Sequence, residues 1–183
     1  GEKIIKNLKF RKSQKVISFI STIKMKELKK YIGKNIDVVR AIPLPPISLG
    51  VGPVPIFPKN KAVKKFFDKI GKTIEINNEN LSLNFWTMSA MMAPYYEFLN
   101  TLSKWLVKKG LNKKKSEKYI TSLFLALSKS ASNNNYKDLT FLVSKSQTPK
   151  GLNEQALKNL KKSLFYEKLN KASNDIFKRL KGN

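Results

Sequence analysis

Cysteine and histidine are both absent from this 183-residue chain. Without cysteine there is no disulfide framework, no thiolate nucleophile and no cysteine metal site. Without histidine the commonest general base and the commonest metal ligand go together. No metal is therefore expected, and a zinc enzyme or a Ser-His-Asp hydrolase is excluded. Acid–base chemistry is left to Asp, Glu, Lys, Tyr, a hydroxyl or water. Arginine is scarce as well: only Arg11, Arg40 and Arg179 stand among 37 basic residues, which face 12 acidic ones for a net charge of +25. The excess is even, with 18 basic and 5 acidic side chains in residues 1–77 and 19 and 7 in residues 78–183. Readers of bases and phosphates favour arginine for its planar, bidentate fork. Evenly spread lysine therefore speaks against a nucleic-acid partner, although it should draw anionic ligands, nucleotide phosphates included. A long apolar run is missing too. The richest stretch, Leu81 to Val107, is interrupted by Asn84, Glu97, Asn100, Ser103 and Lys104. It reads as a buried helix and not a membrane span. The opening GEKIIKNLKF has no apolar signal core, so a cytoplasmic location is expected.

What is present has two characters. Residues 1–78 alternate short β-branched runs with amphipathic ones. Lys15 to Ile20 predicts a strand and Ile23 to Ile32 a helix with Met25, Leu28 and Ile32 on one face, stopped by Gly33. Asp37 to Ile42 is a second strand, ended by Pro43, Pro45 and Pro46. Val51 to Phe57 is a third, broken one, whose prolines suit an edge or a loop. Lys61 to Ile70 is a helix with Ala62, Phe66, Phe67 and Ile70 inward, and after Gly71 comes a fourth strand, Lys72 to Ile76. Such a succession is an α/β sheet with crossover connections. Residues 79–183 are all helical in pattern: Asn84–Lys109, Lys113–Ser130, Tyr136–Val143, Asn153–Leu160 and Ser163–Leu180. The first is apolar on nearly every face, which places it in a deep core or, in so short a segment, at a subunit interface. Tyr119, Ile120, Leu123, Phe124 and Leu127 form the stripe of the second.

Four stretches in this order resemble the pyrroline-5-carboxylate reductase family. Val16-Ile17-Ser18-Phe19-Ile20 is similar to the family strand VISIxAG. Val39 to Pro46, followed by Gly50-Val51-Gly52, is similar to R-x-M-P-N-x-P…G-x-G. Thr87 to Phe98 stands in the place of T-A-L-S-G-S-G-P-A-Y-x-F. Thr148 to Gln155 resembles T-P-G-G-L-N-E-Q, a version of the family's T-S-P-G-G-T-T motif found in a divergent bacterial branch. The resemblance implies the C-terminal half of a Rossmann-like NAD(P)-binding domain in residues 1–78 and a helical dimerisation and substrate domain in residues 79–183. It implies hydride transfer from NADP or NAD to the C=N of a cyclic imine or similar small carboxylated substrate, a place in proline biosynthesis, and a homodimer through the C-terminal helices. The family's G-x-G-x-x-G phosphate loop is not matched: Gly50-x-Gly52 follows a proline run and opens no helix. The chain is thus expected to start inside the family's first domain, as a portion of a longer protein or a remnant. A non-catalytic dimerisation or regulatory protein on the same scaffold is the alternative.

By that resemblance Ser18, Ile42, Pro43 and Leu44 bind the cofactor, with Ile42 and Pro43 as an apolar ledge beside the nicotinamide. The plain reading is that prolines end an edge strand. Thr148 is the candidate catalytic hydroxyl, and Thr87, Tyr96, Gly151 and Asn153 are candidate substrate contacts. Here too a plainer reading stands: Thr148 or Asn153 caps a helix, and Tyr96 is a core tyrosine with its hydroxyl satisfied. Met91 and Met92 replace family glycines and should reshape the substrate pocket, and Leu44 replaces a family asparagine. Lys113-Lys114-Lys115 is a solvated face.

Overall fold

The computed structural model describes residues 2–20, 23–133 and 138–182. They form two compact units, residues 1–90 with 175–183, and residues 91–174. The first holds helix α1 (Glu2–Lys6), strand β1 (Lys15–Ser18), helix α2 (Met25–Ile32), β2 (Asp37–Ala41), a 3₁₀ turn (Pro45–Leu49), β3 (Pro53–Phe57), α3 (Lys61–Phe67), β4 (Lys72–Glu75), a second 3₁₀ turn (Glu79–Leu81) and α4 (Ser82–Ser89). The sheet is mixed, in the order β1-β2-β3-β4. β1 and β2 run parallel, β2 and β3 antiparallel, and β3 and β4 parallel.

Alternation along β2 divides the core. Val38 faces α1 and α2, where it joins Ile5, Met25, Leu28 and Ile32. Val39 and Ala41 face the other way and join Val54, Ile56, Val63 and Phe67. The inward face of α3 is therefore Val63 and Phe67. The expected set was partly wrong: Phe66 and Ile70 are exposed, and so is Ala62. Helix α3 also stops at Phe67, because Asp68 caps it and accepts from Thr73 N at 3.1 Å. Held first by the Lys64 ammonium and then by Thr73, the Asp68 carboxyl is lowered to about 2. Gly71, just beyond, has to be glycine. A Cβ there would lie 2.8 Å from the Gly52 carbonyl and 2.6 Å from Ile47.

β3 corrects a second expectation, since it lies inside the sheet and not at its edge. Lys72 N donates to Gly52 O at 2.8 Å and Ile76 N to Ile56 O at 2.9 Å, so alternate residues of β3 turn their backbone toward β4. Pro53 and Pro55 turn theirs the opposite way, where β2 has ended at Ala41. The bond made there, from Ile42 N to Pro55 O at 3.1 Å, uses a proline carbonyl and needs no proline N–H.

The second unit holds α5 (Met92–Lys108), α6 (Lys113–Ser132), α7 (Leu139–Lys145), α8 (Leu152–Lys162) and most of α9 (Phe165–Lys181). One helix over Asn84–Lys109 was expected, and two are found. Pro94 explains the break: a proline ring clashes with the carbonyl four residues earlier, and that residue, Ala90, is the C-cap at which α4 stops. Tyr136, the expected start of the next-but-one helix, lies outside the described residues. Phe98 of α5 is the aromatic centre of this unit, its ring 5.2 Å from Phe124 of α6 and 6.4 Å from Phe165 of α9. Buried serines lie on both packed helices, Ser103 on α5 and Ser116 on α6. Among the described residues, no helix is long and apolar enough to cross a membrane.

Candidate functional site

The parallel pair β1–β2 sets Ser18 beside Arg40, so the carboxyl ends of both strands open on one edge. In open α/β sheets ligands bind outside such ends. Ser18 is buried, and its Oγ accepts from Ile20 N at 3.3 Å. Ile42, Pro43 and Leu44 continue from β2 as a half-buried apolar ledge. Ile42 is anchored by its bond to Pro55, and the proline turn after it locks the backbone. Phe19 projects at 59% exposure from the end of β1, its ring 6.3 Å from Phe67. The four expected cofactor residues thus share one sheet edge.

Behind that edge sits a group that sequence reasoning passed over. Arg40 is 4% exposed on a strand otherwise made of valine, alanine and aspartate. Its guanidinium pairs with the Glu79 carboxylate and lies 4.5 Å from the centre of the Trp86 ring. The same Glu79 oxygen accepts from Met25 N at 2.6 Å, at the start of α2. One carboxylate therefore compensates a buried cation and one open N–H of a helix terminus. The available signal was an arginine among lysines, since only arginine combines a fork with a stacking plane.

In the second unit Thr148, Pro149, Lys150 and Gly151 form a tight turn. Gly151 N donates to Thr148 O at 2.8 Å, and Lys150 has φ 61°. Proline second and a positive φ third define a type II turn, whose third position favours glycine. Gly151 admits the fold-back, because a Cβ on it would lie 2.2 Å from Thr148 Oγ1 and 2.9 Å from Thr148 O. Glu154 reaches back to accept from Lys150 N at 2.7 Å. Its carboxyl is held below its ordinary range, first by the Lys158 ammonium and then by that N–H. Neither Thr148 nor Asn153 caps α8. The cap is Gly151, without a side-chain bond, and Asn153 Nδ2 donates to Ser146 O at 2.9 Å. Thr148 and Gly151 are brought together, with Asn153 tying the turn to the residue after α7.

Lys150→Gly is expected to stabilise the chain by about 1 kcal/mol, since glycine adopts this φ without penalty. A thermal scan showing no gain would mean that the left-handed residue carries no strain.

Thr87 and Tyr96 are placed differently from each other. Thr87 is buried on α4 and its Oγ1 donates to Leu83 O at 2.8 Å, which commits its proton locally. Tyr96 is on α5 and 54% exposed, so it is not a core tyrosine. Met91, the N-cap of α5, and Met92, its first residue, are half-buried.

A mixed sheet whose parallel pair opens on a proline ledge, followed by an all-helical portion, has the fold of the second half of a Rossmann-like domain with a helical domain after it. Comparisons with known proteins narrow the class. The family model for pyrroline-5-carboxylate reductase dimerisation matches residues 82–182, more than half of the chain. The chain belongs to the pyrroline-5-carboxylate reductase family. Among solved structures it resembles the Plasmodium falciparum pyrroline carboxylate reductase with NADP bound (TM-score 0.84, 20% identity, 99% of this chain and 72% of that one). It is similar also to the 1-pyrroline-5-carboxylate reductase of Streptococcus pyogenes (0.84, 20%, 100% and 72%) and the pyrroline-5-carboxylate reductase of Coxiella burnetii (0.81, 23%, 99% and 69%). At these identities the likeness is one of fold. No curated protein matches the sequence.

Proposed function

We propose that this protein is an NAD(P)-dependent reductase that reduces the C=N bond of a cyclic imine or a similar small carboxylated substrate, working as a homodimer. The observation that carries the reading is the strand-end ledge of Ser18, Ile42, Pro43 and Leu44 on a chain that also holds the family's dimerisation domain.

The residues present fit the nicotinamide end of a dinucleotide. A flat ring needs an apolar shelf, which half-buried Ile42, Pro43 and Leu44 provide, and a nearby polar group, which Ser18 provides. Bound there, a reduced nicotinamide would supply the hydride to the imine carbon. The chain's own tasks are to hold the ring on the ledge, exclude water, and deliver a proton to the imine nitrogen. With no histidine in the sequence, the proton falls to Asp, Glu, Lys, Tyr, a hydroxyl or water, and of these we assign the hydroxyl of Thr148. Gly151 and Asn153 keep its turn in place, and Tyr96 and Thr87 are the further substrate contacts. The dimer reading is supported by large apolar side chains that a lone helical unit leaves in water, Trp105 at 57%, Leu125 at 57% and Leu139 at 68% exposure among them.

The test is oxidation of NADPH and NADH by the full gene product with cyclic imine carboxylates, in the native and Thr148→Val proteins. Native turnover is expected, and loss of one positioned proton donor should lower kcat by about a hundredfold with little change in KM. Unchanged kcat would remove Thr148 from the chemistry. Absence of any turnover or nicotinamide binding would replace the reductase with a non-catalytic dimerising protein.

A further inference from the structure

A concavity lies within the first unit. It has a volume of about 1000 Å³ and is lined by residues around the starts of α2 and α4 and by the last turns of α9. Ligand pockets run from roughly 300 to 1,000 Å³, so a small molecule would fit. Its lining is divided by chemistry. Trp86, Phe177 and Leu180 give an apolar wall, while Lys24, Arg179 and Lys181 are cationic. Among the described residues the single carboxylate of the lining is Glu79, and it is already committed to Arg40 and to Met25 N. Lys24, Arg179 and Lys181 therefore line the cavity with no counter-charge among its other described lining residues. Lys181 lies along the apolar wall, its Nζ 4.5 Å from the centre of the Phe177 ring.

We propose that this cavity binds a small amphipathic anion: a carboxylate or phosphate head group held by Lys24, Arg179 and Lys181, on a hydrocarbon body laid along Trp86, Phe177 and Leu180. The charge demands an anion, and the wall demands that the anion carry an apolar body. A bare inorganic ion would leave the wall wet, and a neutral lipid alcohol would leave the cations unpaired. The inference does not depend on the reductase reading, because it needs neither a nicotinamide nor turnover.

The chain has two tryptophans, so Trp105→Phe leaves Trp86 as the only indole and as a reporter inside the cavity. In that background the protein is titrated with decanoate, decyl phosphate, decanol, acetate and inorganic phosphate. Saturable change in Trp86 emission is expected with decanoate and decyl phosphate, at affinities at least about tenfold above those of decanol and of the two small anions. Arg179→Glu with Lys181→Glu should weaken both long-chain anions by about tenfold or more. Lys158→Glu with Lys161→Glu on α8, the same change of charge elsewhere, should not. Arg179→Gln with Lys181→Gln repeats the test should the charge reversal impair folding. Equal affinity for decanol would overturn the proposal by removing the cations from it. Equal affinity for inorganic phosphate would overturn it by removing the wall, and an equal loss in the α8 variant would reduce it to general charge.

Discussion

Glu79→Gln is expected to unfold about 3–5 kcal/mol more easily than the native protein, read from the urea midpoint of the tryptophan signal. The size follows from what the carboxylate compensates. Arg40 is 4% exposed, and burial pushes its guanidinium down from its ordinary value while Glu79 pulls it back up. Arginine does not surrender its proton in proteins, so an amide opposite it leaves a buried full charge. The neutral amide would also be a poorer acceptor than the carboxylate for Met25 N at the head of α2. Replacing both partners tests the cause: with Arg40→Met added, no charge remains to be compensated, and most of the loss should return. A single-variant change below about 0.5 kcal/mol would mean that the pair is solvated in practice.

Phe67→Ala should cost about 3–5 kcal/mol, with an unchanged denaturant slope. Phe67 is 2% exposed among Val39, Ala41, Val54, Ile56 and Val63, and its ring meets Phe66 edge-on at 5.1 Å. No flexible neighbour stands ready to fill the space, because its partners are mostly β-branched residues fixed on strands. The cavity has a functional reach as well. The ring of Phe19, at the end of β1, lies 6.3 Å from this one, so on the proposed reductase reading the variant should raise KM for the nicotinamide more than it changes kcat. A loss under about 1 kcal/mol would show that α3 collapses onto the sheet and closes the gap.

These two residues also mark how far the sequence could be read. Phe67 was placed inward by its spacing, but its partner Val63 was not, since Ala62 and Phe66 offered an equally good stripe on a helix of only seven residues. The four strands were legible as short runs rich in β-branched residues, three of them with a glycine or proline at one end or both. The interior position of β3 was not, because it depends on which way each proline nitrogen points. That is a property of register and not of composition. Pro94 was visible throughout, yet the apolar richness around it masked its effect on Ala90. Arg40 and Glu79 are 39 residues apart. No local pattern joins them, and only the sheet and the turn before α4 bring them together. Of the candidate site, the ledge and the Thr148 turn were legible as motifs. The commitment of Thr87 to its own helix and the exposure of Tyr96 required coordinates.

The order of the strands has a kinetic consequence. Each strand pairs with its neighbour in the chain, and partners such as Lys15 and Asp37, Arg40 and Phe57, or Pro53 and Lys72 are separated by 22, 17 and 19 residues. Closing loops of nearly equal, modest length costs little entropy at each step, and low sequence separation favours rapid folding. These four strands can therefore pair with one another while the helical residues after them are still leaving the ribosome. Residues 175–182 are a later arrival to this unit, since α9 follows its strands in the chain by about a hundred residues.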